Sequence, residues 1–213
     1  MRIILKRLIL KYIPFARTIL TYKKVRDYYN LPLLGYRDQT VEIGFPILIT
    51  KPQNVFLYEK TRINPGAKII TYQGKFIVKK YTGIAYGFTV VTGNHTPTVG
   101  YPQTQLGHSH LNDVERDVII EEDVWVGANV TLLSGAHIGR GCVIGACSLV
   151  NKEIPPYAVV VGSPARIIAS KFTLEQILLH EEKLYPVEER LSKQYLENLF
   201  RVYYVGKNAI GVE

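Results

Sequence analysis

The residues best suited to proton-transfer chemistry stand at a break in the sequence pattern. His95 follows the segment Val-Val-Thr-Gly-Asn and precedes residues 96–117, which are mostly polar. An imidazole titrates near neutral pH and can therefore take a proton from an attacking nucleophile. Asp113, Glu115 or a backbone carbonyl are candidates for orienting the ring. We predict that residues 96–117 form a loop that leaves an otherwise periodic chain and brings His95 to the surface.

Other potentially reactive side chains give weaker signals. His108 and His110 form a His-x-His pair, a spacing found in metal sites, but in a polar loop we interpret both as solvated and expect no metal. Neither Cys142 nor Ser148 stands next to an obvious base in the sequence, so no activated nucleophile is indicated. Trp125 is the only tryptophan. It follows an inward residue, so it faces outward, and this exposure suggests a contact with a ligand or a subunit.

The elements that must position these side chains follow from a six-residue repeat. From residue 120 the chain divides into the hexads IEEDVW, VGANVT, LLSGAH, IGRGCV, IGACSL and VNKEIP. The first position of each hexad is aliphatic: Ile120, Val126, Leu132, Ile138, Ile144 and Val150. The fifth position is small or β-branched: Val124, Val130, Ala136, Cys142, Ser148 and Ile154. Three hexads carry glycine at the second position, where we expect a turn that needs permissive backbone: Gly127, Gly139 and Gly145.

A period of six fits neither an α-helix nor an isolated strand. It predicts short strands joined by sharp turns and stacked in coils, each coil burying its aliphatic residues against the next. Residues 41–95 carry a looser version of the pattern and are expected to form the first coils. The predicted domains are a basic helical segment over residues 1–37, a β-helix over 38–170 with the excursion 96–117, and a helical tail over 171–213.

The net charge of the chain is confined to its beginning. Residues 1–37 hold nine basic side chains and one acidic one, which accounts for the whole net charge of +8. A nucleic-acid-binding protein would carry this charge on its folded body, so we expect no nucleic acid. Two interpretations of residues 1–37 stay open: an interfacial helix that contacts the inner face of a membrane, or an amphipathic cap on the rest of the protein. Two cysteines and the lack of a long apolar run predict a cytoplasmic location.

The last part of the chain changes from a period of six to a helical period. Thr173 and Gln176 form a capping-box pattern at the start of FTLEQILLHEEKLY. Pro186 is expected to end this helix, and VEERLSKQYLENLFRVYY is a second amphipathic candidate. We predict that these helices cap the end of the coils or pack on a neighbouring subunit.

The hexads from residue 118 onward and the following PPYAVVVGSPAR resemble the closing coils of hexapeptide-repeat acyltransferases, among them the maltose and galactoside O-acetyltransferases. This resemblance implies a mainly β, left-handed parallel β-helix with three hexads per coil, assembled as a homotrimer. It implies acetyl-coenzyme A as acyl donor and His95 as catalytic base. The expected reaction is direct transfer, in a ternary complex, to a carbohydrate hydroxyl such as one on a bacterial polysaccharide.

The resemblance also implies where the donor binds. The matching positions are Trp125, Ala128, Ala146, Asn151, Lys152 and Arg166. Small side chains at the two alanines would expose backbone to the pantetheine amides, and the two basic side chains would meet phosphates. The family often has another basic residue three positions after Arg166, where this chain has Ala169; Lys171 is the candidate substitute.

Three alternatives remain at this point. The acetyl group could go to the amine of an amino sugar or to a hydroxyl of a drug. A zinc-dependent carbonic anhydrase can be built on the same prism, but it needs three converging histidines. A non-catalytic trimeric scaffold that associates with a membrane through residues 1–37 is the third.

Overall fold

The computed structural model describes residues 31–212, which wind into a parallel β-helix. Each coil contributes one short strand to each of three parallel sheets, so that the sheets form the faces of a prism. Strands that are neighbours in a sheet come from successive coils, and all of them pair in parallel except the last. The predicted fold class, a mainly β left-handed parallel β-helix, is confirmed.

The strands are two to five residues long and fall into three sets. Sheet one contains β1 (Tyr36–Arg37), β4 (Val55–Leu57), β7 (Phe76–Val78), β10 (Val118–Ile120), β13 (His137–Ile138) and β16 (Glu153–Ile154). Sheet two contains β2 (Glu42–Ile43), β5 (Arg62–Ile63), β8 (Gly83–Ile84), β11 (Trp125–Val126), β14 (Val143–Ile144), β17 (Ala158–Val161) and the antiparallel β18 (Arg166–Ser170). Sheet three contains β3 (Leu48–Ile49), β6 (Lys68–Ile70), β9 (Thr89–Val91), β12 (Thr131–Leu133) and β15 (Leu149–Val150).

The core of the prism is built by the hexad residues that the sequence marks as inward. All six first-position and all six fifth-position side chains are buried. In register, Ile120 lies beside Ile138 of the next coil, and Leu132 lies beside Val150. Each such aliphatic side chain gains roughly 1.5–3 kcal/mol on leaving water. The aliphatic ladder therefore fixes how the coils stack.

The structure differs from the sequence expectation about the turns: the hexad position with the unusual backbone conformation is not the one predicted. The second-position glycines have no left-handed φ; they are required because the next coil approaches closely. A Cβ on Gly127 would lie 2.6 Å from the backbone nitrogen of Ala146. The left-handed residues occupy the fourth position of five consecutive hexads: Asp123, Asn129, Gly135, Gly141 and Cys147. The corners of the prism are thus turned at the fourth position.

The coils begin slightly earlier than predicted. Strand β1 lies two residues before the predicted boundary at residue 38 and pairs with β4, Tyr36 beside Phe56. Most of the basic helical segment predicted over residues 1–37 lies outside the described residues. Between residues 31 and 212 there is no helix long and apolar enough to cross a membrane.

The excursion between β9 and β10 is more ordered than the loop predicted there. It contains a helix, α1 (Gln103–Ser109), which begins after Pro102. Leu106 is the single buried residue of this helix. One apolar anchor among polar residues carries no periodicity, which is why the sequence pattern did not reveal the helix.

The chain ends in two helices, α2 (Leu174–Leu184) and α3 (Lys193–Leu199). The predicted capping box at the start of α2 is present in both directions between Thr173 and Gln176. The second helix begins later than predicted, because residues 187–189 form a 3₁₀ turn and Ser192 caps α3. Buried Glu181 of α2 accepts hydrogen bonds from Arg140 (2.9 Å) and Tyr157 (2.6 Å), which fixes the cap to the coils.

Candidate active site

His95 lies at the edge of the prism between sheets three and one. In the coil above, the link from β12 to β13 takes only residues 134–136, whereas the link from β9 to β10 takes residues 92–117. The inserted residues carry α1 and return to the coil at Val118. The His95 side chain is 46% exposed. A regular coil edge therefore presents this imidazole to solvent beside a built-out wall.

Asp113 orients the His95 ring. Nδ1 of His95 lies 3.0 Å from Oδ2 of Asp113, and the backbone amide of Thr96 donates to Oδ1 at 2.8 Å. The Asp113 side chain is only 4% exposed. The sequence left this role open between Asp113, Glu115 and a carbonyl. Glu115 has a different function, since its carboxylate accepts from two backbone amides of the preceding coil, Gln73 at 2.7 Å and Gly74 at 2.9 Å.

The electrostatics of Asp113 decide the tautomer of His95. The amide of Thr96 holds the pKa of Asp113 below its ordinary value; partial burial opposes this, and the hydrogen bonds with His95 and His110 add to it. An ionised carboxylate only accepts hydrogen bonds, so Nδ1 of His95 carries the proton and Nε2 keeps its lone pair. Nε2 faces α1, 4.0 Å from the point that a Cβ on Gly107 would occupy. Nε2, the basic nitrogen, therefore lies next to a position on α1 that has no side chain.

His110 belongs to the same cluster, which the sequence reasoning missed. Its Nδ1 lies 3.1 Å from the Asp113 oxygen that also binds His95, and its ring stacks on Tyr72 at 4.2 Å. His110 caps the C-terminus of α1 with a left-handed φ of 51°. Its His-x-His partner, His108, is exposed and outside the cluster. The spacing from His110 to Asp113 was the signal available in the sequence.

Three of the predicted donor-binding residues lie on or beside sheet two. Trp125 is 53% exposed, and its indole covers Gly83, where a Cβ would lie 2.9 Å from the ring. Ala128 and Ala146 occupy the same link between sheets two and three in successive coils. The amide of Cys147 donates to the carbonyl of Ala128 at 2.8 Å, so the two alanines are stacked.

The other three are divided between two edges. Asn151 and Lys152 are exposed in the link from β15 to β16, at the same edge as His95. Arg166 is exposed at the start of β18, near the edge of the two alanines. The two sets therefore border opposite edges of sheet three within one chain.

Lys171, the candidate substitute for a missing basic residue, has a structural partner. Its Nζ lies 2.7 Å from Oδ2 of Asp123, and His180 of α2 lies 3.0 Å from the same oxygen. Burial raises the pKa of Asp123, but the hydrogen bond with His180 and the charge of Lys171 outweigh it and leave this pKa below its ordinary value. Ala169 is buried in β18. Neither position offers a free cation.

The two side chains considered as nucleophiles are held in the core. Burial raises the pKa of the Cys142 thiol to about 12, and its Sγ lies against the carbonyl of Pro155. The Ser148 hydroxyl donates to the carbonyl of Gly145 at 2.7 Å and accepts from the amide of Gly162 at 3.1 Å. Neither is paired with a base, as the sequence suggests.

The repeat itself is matched by a sequence family described as bacterial transferase hexapeptide (six repeats), over residues 117–152. Residues 117–152 therefore carry the hexapeptide repeat of this family. A chloramphenicol acetyltransferase from Klebsiella aerogenes is 46% identical over 63 residues, which is 30% of each chain. The chain thus aligns with less than a third of the length of this curated relative.

Two solved structures share the fold of this chain. A hexapeptide-repeat-containing acetyltransferase from Vibrio cholerae O1 biovar eltor, complexed with acetyl-coenzyme A, has a TM-score of 0.58 and 26% identity, covering 65% of this chain and 72% of the other. A maltose O-acetyltransferase from Clostridium difficile 630 has a TM-score of 0.58 and 27% identity, covering 65% and 71%. Both similarities extend well beyond the hexads alone.

Proposed function

We propose that this hexapeptide-repeat protein is an acyl-coenzyme A-dependent O-acyltransferase that moves an acetyl group to a carbohydrate hydroxyl. The observation that carries the proposal is the pairing of His95 with Asp113 at an exposed edge, which leaves Nε2 as a free base. The similarity to the acetyl-coenzyme A complex and to the maltose O-acetyltransferase supports the donor and the acceptor class.

In this reaction His95 takes the hydroxyl proton through Nε2 as the oxygen attacks the acyl carbon of the thioester. The carbon–sulfur bond then breaks, and coenzyme A leaves as the thiol after its sulfur receives the proton from the imidazolium. The imidazolium that forms keeps its Nδ1 proton hydrogen-bonded to Asp113, whose negative charge stabilises it. General-base assistance of this kind contributes roughly 10²- to 10⁴-fold. The proposed transfer is direct, and it is supported by the burial of Cys142 and Ser148, neither of which is paired with a base.

The donor supplies a thioester, whose carbonyl carbon is the electrophile. On this chain Lys152 and Arg166 suit its phosphates, because both are exposed and neither has an ion-pair partner among residues 31–212. Trp125 offers an exposed aromatic face, Ala128 and Ala146 expose backbone, and Asn151 adds a polar side chain beside Lys152. The residues present therefore fit the group.

A homotrimer is part of the proposal. Lys152 and Arg166 border opposite edges of sheet three in one chain. A single narrow groove that contains both a Lys152 and an Arg166 must therefore take one of them from a second copy. His95 shares its edge with Lys152. A donor bound between copies would thus run from the phosphate-binding residues toward the base.

A second acceptor class is favoured by one observation. The chloramphenicol acetyltransferase that matches this chain is 46% identical over the aligned segment, above the identity to the maltose O-acetyltransferase. A hydroxyl of a drug is therefore an alternative acceptor. An amine of an amino sugar would use the same base.

The test is thiol release from acetyl-coenzyme A by the full chain, with sugars, amino sugars and chloramphenicol as acceptors. We expect acceptor-dependent release that falls at least ~100-fold in His95→Ala. His108→Ala is the matched control, because His108 is in the same excursion but outside the cluster, and it should retain full activity. Undiminished release in His95→Ala would remove the base, and no release with any acceptor by folded protein would remove the function.

A further inference from the structure

The cluster around Asp113 contains more side chains that could bind a metal ion than the proposed reaction needs. A ring nitrogen of His95, a ring nitrogen of His110 and a carboxylate oxygen of Asp113 lie within 4.8 Å of one another. The Nδ1 atoms of both histidines are within hydrogen-bond distance of the same Asp113 oxygen. Acyl transfer needs one imidazole and one carboxylate. The second imidazole, on the His-x-His motif, has no part in that reaction.

The spacing of the three atoms fits a tetrahedral metal ion. A zinc ion at about 2.0–2.1 Å from its ligands holds them about 3.3 Å apart. The two nitrogen–oxygen distances in the cluster are 3.0 and 3.1 Å. Small movements of the side chains would therefore replace the two hydrogen bonds with three metal–ligand bonds. A set of two imidazoles and one carboxylate suits Zn²⁺, whereas Mg²⁺ prefers an octahedron of oxygen ligands and is disfavoured by the two imidazole nitrogens.

The surroundings hold the ligands in place from behind. The amide of Thr96 fixes the second oxygen of Asp113, and Tyr72 stacks on the His110 ring. His110 also adopts a left-handed backbone conformation that costs a non-glycine residue about 1–2 kcal/mol. The half-exposed His95 leaves the fourth position open to water. Such supporting contacts are typical of metal sites.

We propose that His95, His110 and Asp113 form an inhibitory binding site for Zn²⁺. Binding of the ion to Nδ1 of His95 forms a Zn–N bond with the lone pair of that atom. The single proton of the neutral ring then sits on Nε2, so this nitrogen has no lone pair with which to accept a hydroxyl proton. The metal thus blocks the base by exchanging its tautomer. The inhibition rests on the proposed acyltransfer, whereas the binding does not.

Binding is tested first, on the metal-free full chain in a Cys147→Ser background, which removes an exposed thiol. Titration with Zn²⁺ against a chromogenic chelator should give one site per chain, with no binding of Mg²⁺. We expect His110→Asn to weaken Zn²⁺ binding at least ~10-fold. Asparagine tolerates the left-handed backbone and keeps a hydrogen-bond donor, so the fold is preserved. His108→Ala is the control and should bind Zn²⁺ as the parent does.

Equal Zn²⁺ affinity in the parent and in His110→Asn would overturn the site, and so would the absence of a stoichiometric site. Acetyl transfer is then measured across the same Zn²⁺ concentrations, each variant relative to its own metal-free rate. The concentration for half inhibition should match the binding curve and rise at least ~10-fold in His110→Asn. Binding without inhibition would overturn the tautomer exchange. A failure of acetyl transfer in metal-free protein would count against the proposed function alone, because the binding measurement does not depend on it.

Discussion

In the coils from residue 118 to residue 154, every sixth side chain is buried and packs against a residue of the next coil. The excursion over residues 96–117 contains one buried apolar side chain, that of Leu106. The coils are held by burial of aliphatic side chains. The excursion is held by hydrogen bonds, such as that from the amide of Thr96 to Asp113. The repeated coils therefore supply the stable framework, and the polar side chains of the candidate site lie where the repeat is interrupted.

Substitutions in the coils should therefore lower stability, whereas substitutions in the excursion should lower catalytic activity. Leu132→Ala removes a fully buried side chain from β12, which lies between β9 and β15 in sheet three. We expect it to lower the free energy of unfolding by about 2–5 kcal/mol, because the rigid ladder leaves a cavity. Denaturant unfolding checks this, and acetyl transfer per folded molecule should be unchanged. A loss of less than ~1 kcal/mol would show that the coils repack and do not carry the stability assigned to them.

Asp113→Asn should have the opposite profile. The substitution keeps the size of the side chain but removes the charge that stabilises the His95 imidazolium and fixes its tautomer. We expect kcat/KM for acetyl transfer to fall at least ~100-fold, or about 2.7 kcal/mol. Steady-state kinetics provide the measurement, with Asp117→Asn as a control in the same excursion. A normal rate for Asp113→Asn would mean that another group orients His95.

Gly107→Leu tests the open helix face next to Nε2 of His95. A Cβ at this position would lie 4.0 Å from that nitrogen, so a larger side chain covers the approach of the acceptor. We expect about a 10-fold loss in kcat/KM, with a smaller loss for Gly107→Ala. Both substitutions raise the helix propensity of α1, so the midpoint temperature of thermal unfolding should not fall. Full activity in the leucine variant would place the acceptor elsewhere.

The smallest effect is expected where the C-terminal cap meets the coils. The lowered pKa of Asp123 means that the unfolded chain takes up its proton first as the pH falls. The ionised carboxylate therefore contributes stability above its unfolded value of 3.8, and this contribution is lost as the pH falls through the folded pKa. Asp123→Asn should cost about 1 kcal/mol at pH 7. The cost should shrink below about pH 4 in denaturant unfolding at several pH values, and a cost that does not change with pH would contradict the assignment.

The inward ladder was predictable because it depends only on period. An aliphatic residue every six positions has one way to be buried in a triangular coil, so Ile120 through Val150 were placed correctly by counting. The corners were harder. Cys147 adopts a left-handed backbone conformation that its residue type does not indicate, at the same hexad position as Asp123.

The site was predictable only in part. The break in the repeat pointed to His95, but the choice of Asp113 over Glu115 was not in the sequence. Both carboxylates return along the same segment, two residues apart. Their directions are set by which backbone amides they meet, those of Gln73 and Gly74 for one and that of Thr96 for the other.

The sequence alone determined the solenoid, its inward side chains and the place where it is interrupted, because these follow from local period and side-chain size. The tertiary structure decided the pairing of His95 and His110 on one carboxylate, the commitment of Lys171 to Asp123, and the division of the donor-binding residues between two edges. The first two join side chains that are 18 and 48 residues apart in the sequence, and the third follows from the winding of the coils. Hydrogen bonds and charges act through distance in space, and only the folded chain sets that distance.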